Sequence, residues 1–140
     1  MSEDITIAPT DKIFQEKALW VGTFIGGPLV TGYMIAENFK VFNEPEKAKK
    51  TWIVTLMFAI TLFWLLSLIP DSIKFPNNIV PIINIAIAYF LVQRFQKANI
   101  ISHTSKGGLV HTWKRAICVS LIGLFVTLMV IFIVVFMSEI

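Results

Sequence analysis

Four apolar runs, at about 18–39, 51–69, 79–95 and 116–137, leave this chain little choice of fold. At roughly 1.5 Å per residue, helices of these lengths match or approach a hydrocarbon core of about 30 Å. Helices satisfy their own backbone hydrogen bonds in lipid, where water cannot. Of 140 residues 56% are hydrophobic and only 15% charged, more apolar surface than a water-soluble domain of this size hides. The expected fold is all-α. It is a polytopic membrane protein in one domain, 1–140, with four transmembrane helices and a polar interfacial tail at 1–16.

The first run holds Gly22-Thr23-Phe24-Ile25-Gly26-Gly27-Pro28-Leu29-Val30-Thr31-Gly32. Ala18, Gly22 and Gly26 recur every fourth residue, and Thr23, Gly27 and Thr31 form an adjacent row. Small residues at this spacing let helix backbones approach closely. Gly22, Gly26, Gly27, Pro28 and Gly32 are therefore expected to form a packing face, turned to the protein's other helices or to a partner. Pro28 removes a backbone donor and crowds the Phe24 carbonyl, so this Gly-rich first helix should be kinked near its midpoint. Asn84 is the one strongly polar residue of the third run. It is expected to hydrogen-bond across helices at the same interface, worth about 0.6–2 kcal/mol.

The connections carry the capping signals. Thr10 or Asp11 is placed to cap a short interfacial helix bearing Ile13 and Phe14. Ile5-Thr6-Ile7 alternates like a strand over too few residues to assign. The leading residues lack the positive charge of a secretory leader. Asn43 reads as the N-cap of the second helix, with Pro45 in its first turn and Glu46 completing a capping-box-like pattern. Pro70 to Asn78 is a short turn-rich link, and Asn78 caps the third helix. Residues 94–115 form the longest connection, broken at Gly107-Gly108.

Lys and Arg set the expected orientation. Lys40, Lys47, Lys49 and Lys50 follow the first run, and Arg94, Lys97, Lys106, Lys114 and Arg115 follow the third. Basic residues concentrate on the cytoplasmic side. With four crossings, both termini then lie on the non-cytoplasmic side. Trp20 and Trp64 fall at the outer boundary, and Trp52 and Trp113 at the inner one. Lys47, Lys49, Lys50, Lys114 and Arg115 are positioned for anionic lipid headgroups. No aromatic-interleaved basic stripe points to nucleic acid.

Chemistry is sparse. His103 and His111 have no nearby carboxylate or thiolate and read as solvated loop histidines, not metal ligands. Cys118, the single cysteine, lies inside an apolar run. Glu37 and Asn38 close the first span at the interface. Turned inward, Glu37 would be the one residue suited to hold a proton or cation. No catalytic constellation, cofactor motif or metal site emerges.

Gly26-Gly27-Pro28-Leu29, Gly32-Tyr33 and Asn38-Phe39 resemble a pattern in small bacterial four-span membrane proteins, over the first span only. That resemblance implies a bacterial inner membrane and no particular activity. Size and span number are also similar to small multidrug transporters, whose first helix carries an acid. Here none occurs before Glu37. The expected function is a non-catalytic accessory or assembly subunit that packs against a larger membrane protein complex or a second copy. A small oligomeric transporter or channel is the alternative.

Overall fold

The structure, a computed structural model, describes residues 9–140. The Ile5-Thr6-Ile7 alternation lies outside the described residues. The chain forms five helices and, among the described residues, no strand beyond one isolated bridge. They are α1 (Glu16–Val41), α2 (Pro45–Ser67), α3 (Ile79–Phe95), α4 (Lys97–Ser105) and α5 (Trp113–Ser138). By length and composition α1, α2 and α5 are long and apolar enough to cross a membrane. A fourth candidate is the pair α3 and α4, bent by 64° at Gln96.

α1 does not run straight. Gly27 has φ 70° and ψ −160°, a backbone conformation essentially confined to glycine. The helix reverses there and its two legs lie side by side. Thr23 and Thr31, eight positions apart, place their hydroxyl oxygens 2.7 Å from one another. A straight helix would hold them roughly 12 Å apart. The Phe14 backbone N–H donates to Asn38 Oδ1 at 2.7 Å across 24 positions, which a straight helix would separate by roughly 36 Å. Proline fits just past the reversal, because the first residue of a helix has no partner for its N–H. The segment expected as one span at 18–39 is thus a helical hairpin. Its first leg, Glu16 to Gly26, reaches only roughly 16 Å.

The hairpin is the hub. α2, α3 and α5 each pack on α1, and among the described residues no two of them bring their backbones together. The small residues account for these approaches. A side chain at Gly32 would strike Thr55 of α2, and one at Gly22 would come within 2.7 Å of Met34 on the opposite leg. Val30 lies against Gly26 of its own hairpin and Gly123 of α5, and a Cβ on Gly26 would sit 2.9 Å from the Ser120 carbonyl. The glycine face is therefore occupied within the chain, between the legs and against α2 and α5.

Both ends of α1, the start of α2, the end of α3, α4 and the start of α5 meet at one base. Residues 9–15 are not helical there. The Ile13 N–H donates to the Leu109 carbonyl at 3.3 Å, and the His111 N–H donates to the Ile13 carbonyl at 2.8 Å. Ile13 and Phe14 are fully buried. The expected interfacial helix gives way to an extended strap because those backbone groups find partners on the 106–112 loop. α4 appears where a plain connection was expected. It ends on Gly107 with φ 74°, and the Gly108 N–H bonds back to the His103 carbonyl at 2.9 Å.

Two capping expectations are corrected. Asn43 sits in the left-handed region at φ 61°, ending α1, and the N-cap of α2 is Glu44. Asn78 occupies the N-cap of α3 without a side-chain capping bond. Thr112 does cap α5, its hydroxyl accepting from the Arg115 N–H at 3.4 Å.

Candidate functional site

Two places concentrate polar chemistry: the base of the hairpin and its tip. At the base, Asn38 is fully buried. Its Oδ1 takes the Phe14 N–H, and its Nδ2 donates to the Phe14 carbonyl at 2.9 Å and to Gln96 Oε1 at 3.4 Å. Gln96 Nε2 in turn donates to the Ile35 carbonyl at 2.8 Å. One amide thus pairs with a peptide as a neighbouring strand would, and ties the strap to the second leg. The second amide fills the break between α3 and α4. Sequence reading placed Asn38 at an interface with Glu37 and passed over Gln96. Neither carries a local signal, since their partners lie far away in the chain.

Glu37 faces out of the bundle and pairs with Lys40 at 2.7 Å. It lines neither of the two cavities described below. Lys47 pairs with Glu44 and lies 5.8 Å over the Phe39 ring. Lys49 approaches Glu46 at 3.7 Å. Lys50 has no ion-pair partner among the described residues, and Lys114 and Arg115 are exposed on the first turn of α5.

The histidines are not solvated. His103 is buried, and its Nε2 lies 2.8 Å from the Leu109 carbonyl oxygen, which makes that nitrogen the proton donor. Gly108 allows this, because a side chain there would overlap the imidazole. His111 is half-buried against the Phe14 ring, centroids 4.3 Å apart. Its burial, with Arg115 and Lys12 nearby, holds it below the usual imidazole range. Both rings brace the base. Among the described residues no three His, Cys, Asp or Glu side chains cluster as metal ligands would.

At the tip, the Thr31 hydroxyl lies 3.1 Å from the Gly27 carbonyl and the Thr23 hydroxyl 2.7 Å from the Leu19 carbonyl; each has one proton, so one of the two donates to the other hydroxyl and the other to its own helix carbonyl. Gly27 and Pro28 remain half-exposed. Asn84 of α3 stands beside them. It is 6% exposed, and its Oδ1 is the one buried side-chain atom among the described residues with no hydrogen-bond partner. Two cavities meet at Pro28 and Asn84. One, of about 470 Å³, runs between α2 and α3 to Lys47 and Lys50 at the base. The other, of about 220 Å³, opens on the far side of the tip, toward Leu66 and Leu124.

Fold and site together define a helical protein whose membrane-length apolar helices are gathered around a folded-back hairpin, an arrangement compatible with a membrane location. No protein-family model, curated protein or solved structure matches the chain.

Proposed function

We propose that this chain is a non-catalytic integral membrane protein, an accessory or assembly subunit that completes its membrane-embedded half with a larger membrane protein. One observation carries the reading: α2, α3 and α5 each pack on the hairpin, and among the described residues no two of them bring their backbones together. Beyond the tip their large apolar side chains are exposed. Lipid covers apolar faces without penalty, but it does not satisfy peptide groups or a buried amide. The half-exposed tip at Gly27-Pro28 and the unpaired Asn84 Oδ1 therefore call for a protein surface in the space between the helices.

The fold-back also changes the orientation we propose. A hairpin that returns to its own side makes no crossing, so α2, α3 and α5 are the three spans. Lys12, Lys17, Lys40, Lys47, Lys49, Lys50, Arg94, Lys97, Lys106, Lys114 and Arg115 then share one side, and Lys74 alone lies opposite. Eleven of the twelve basic residues on one side is a stronger bias than the four-crossing arrangement gives, because Lys12 and Lys17 join the rest. By the positive-inside rule the N-terminal strap is cytoplasmic and the end of α5 is not.

A second reading, a small oligomeric transporter or channel, draws on the two cavities that meet at Pro28 and Asn84. The tagged chain extracted in mild detergent and analysed by native mass spectrometry separates the readings. Stoichiometric recovery with a larger membrane protein supports the subunit. Recovery alone or as a homo-oligomer refutes it. Orientation is read in a Cys118→Ser background with Lys12→Cys. Labelling by an impermeant thiol reagent only after the membrane is opened supports the three-span arrangement. Labelling of intact cells overturns it.

A further inference from the structure

The groove between α2 and α3 has the form of a seat for a lipid tail. Its walls are apolar, with Val54 and Phe58 on α2, Ile87 and Leu91 on α3, and Ile35 on the second hairpin leg as floor. It runs from Lys47, Lys50 and Phe95 at the base to Phe58, Pro28 and Asn84 beside the tip. Along α2 that is roughly 16 Å, close to half of a hydrocarbon core of about 30 Å. The groove is therefore one leaflet deep.

Its two ends differ. At the base lie two ammonium groups. Lys47 is engaged by Glu44, whereas Lys50 has no carboxylate partner among the described residues. The deep end, beside Pro28 and Phe58, carries no charged group. Cationic rim, apolar walls and leaflet depth match one molecule class.

We propose that this groove holds one acyl chain of an anionic phospholipid from the cytoplasmic leaflet, with the headgroup phosphate at Lys50 and Lys47 and the chain end beside Phe58 and Pro28. The proposal rests on the membrane placement above. Bound there, the lipid fills the gap between two helices whose backbones do not come together, and so joins α2 to α3 through its tail.

The test uses the full chain purified in mild detergent, with phosphatidylglycerol or phosphatidylcholine of identical acyl chains added. Native mass spectrometry should show one phosphatidylglycerol retained per chain in preference to phosphatidylcholine. The double variant Lys47→Gln/Lys50→Gln should weaken retention about fivefold per lysine removed. Lys17→Gln/Lys106→Gln makes the same charge change at exposed residues outside the groove and should leave retention unchanged. Phosphatidylglycerol with a photoreactive tail should crosslink within 54–58 and 84–91. Equal loss in both double variants, or crosslinks spread along α5, would overturn the proposal. The cysteine-labelling experiment reports orientation separately. Groove crosslinks with the strap labelled from outside would move the lipid to the opposite leaflet and refute the proposed orientation and the leaflet named here. Scattered crosslinks with the strap inside would refute the groove alone.

Discussion

Replacing Gly27 by alanine tests the hairpin at its weakest necessity. Gly27 holds φ 70° and ψ −160°, where an L side chain is strained by about 1–3 kcal/mol. A Cβ built there meets nothing within 4 Å. The penalty is therefore purely one of backbone, with no packing change mixed in. It shifts the balance between the folded-back hairpin and an opened α1 by roughly 5- to 150-fold. Three consequences separate this argument from a packing one. Gly27→Leu should carry the same backbone penalty as Gly27→Ala, because the strain lies in φ and not in a contact of the Cβ. Gly26→Ala should disturb the α1–α5 contact instead, since its Cβ would press on Val30 and the Ser120 carbonyl. D-alanine introduced at 27 by semisynthesis should be tolerated, because its mirror-image preference is the ordinary extended region. The assay is a distance measurement between spin labels at positions 17 and 40. In the hairpin both lie at the base, whereas a continuous helix would part them by roughly 35 Å. Wild type should give the short distance alone, and Gly27→Ala an added long-distance population. An unchanged distance distribution and melting temperature in both Gly27→Ala and Gly27→Leu would refute the reasoning.

Other perturbations probe the remaining contacts. Asn38→Leu strands the Phe14 N–H and carbonyl in a buried site, at about 1–3 kcal/mol for each group, so the variant should melt earlier and its strap should be cleaved faster by protease. An undiminished melting temperature would argue against the amide clasp. Gly32→Val should loosen α1 from α2 by colliding with Thr55, and Thr55→Ala should recover part of the loss. Strict additivity in that double-mutant cycle would count against the contact. His111 is held below its usual range when folded, so the unfolded chain binds its proton at higher pH than the folded one. The destabilisation is absent at alkaline pH and grows as pH falls through about 6.5 toward the lower folded value. His111→Gln should flatten that part of the pH–stability curve, and a curve of unchanged slope would remove the role given to the ring.

The sequence by itself determined the helical class, the positions of the long apolar helices and the clustering of Lys and Arg, because these follow from composition and local chain chemistry. It also flagged Gly26-Gly27-Pro28 as a weak point in the first run. It could not say how far the chain turns there. A kinked span and a closed hairpin need the same residues and the same apolar length, and only partners elsewhere choose between them. Those partners are Asn38 with Phe14, Thr23 with Thr31, and Val30 between Gly26 and Gly123; the fourth-residue spacing of Thr23 and Thr31 marks a helix face but not their contact. The same holds for Gln96 in the α3–α4 break and for Asn84, whose polarity was legible but whose missing partner was not. Tertiary structure decided these points because contacts between distant positions, not the local pattern, set where a glycine backbone turns and whether a buried amide is satisfied.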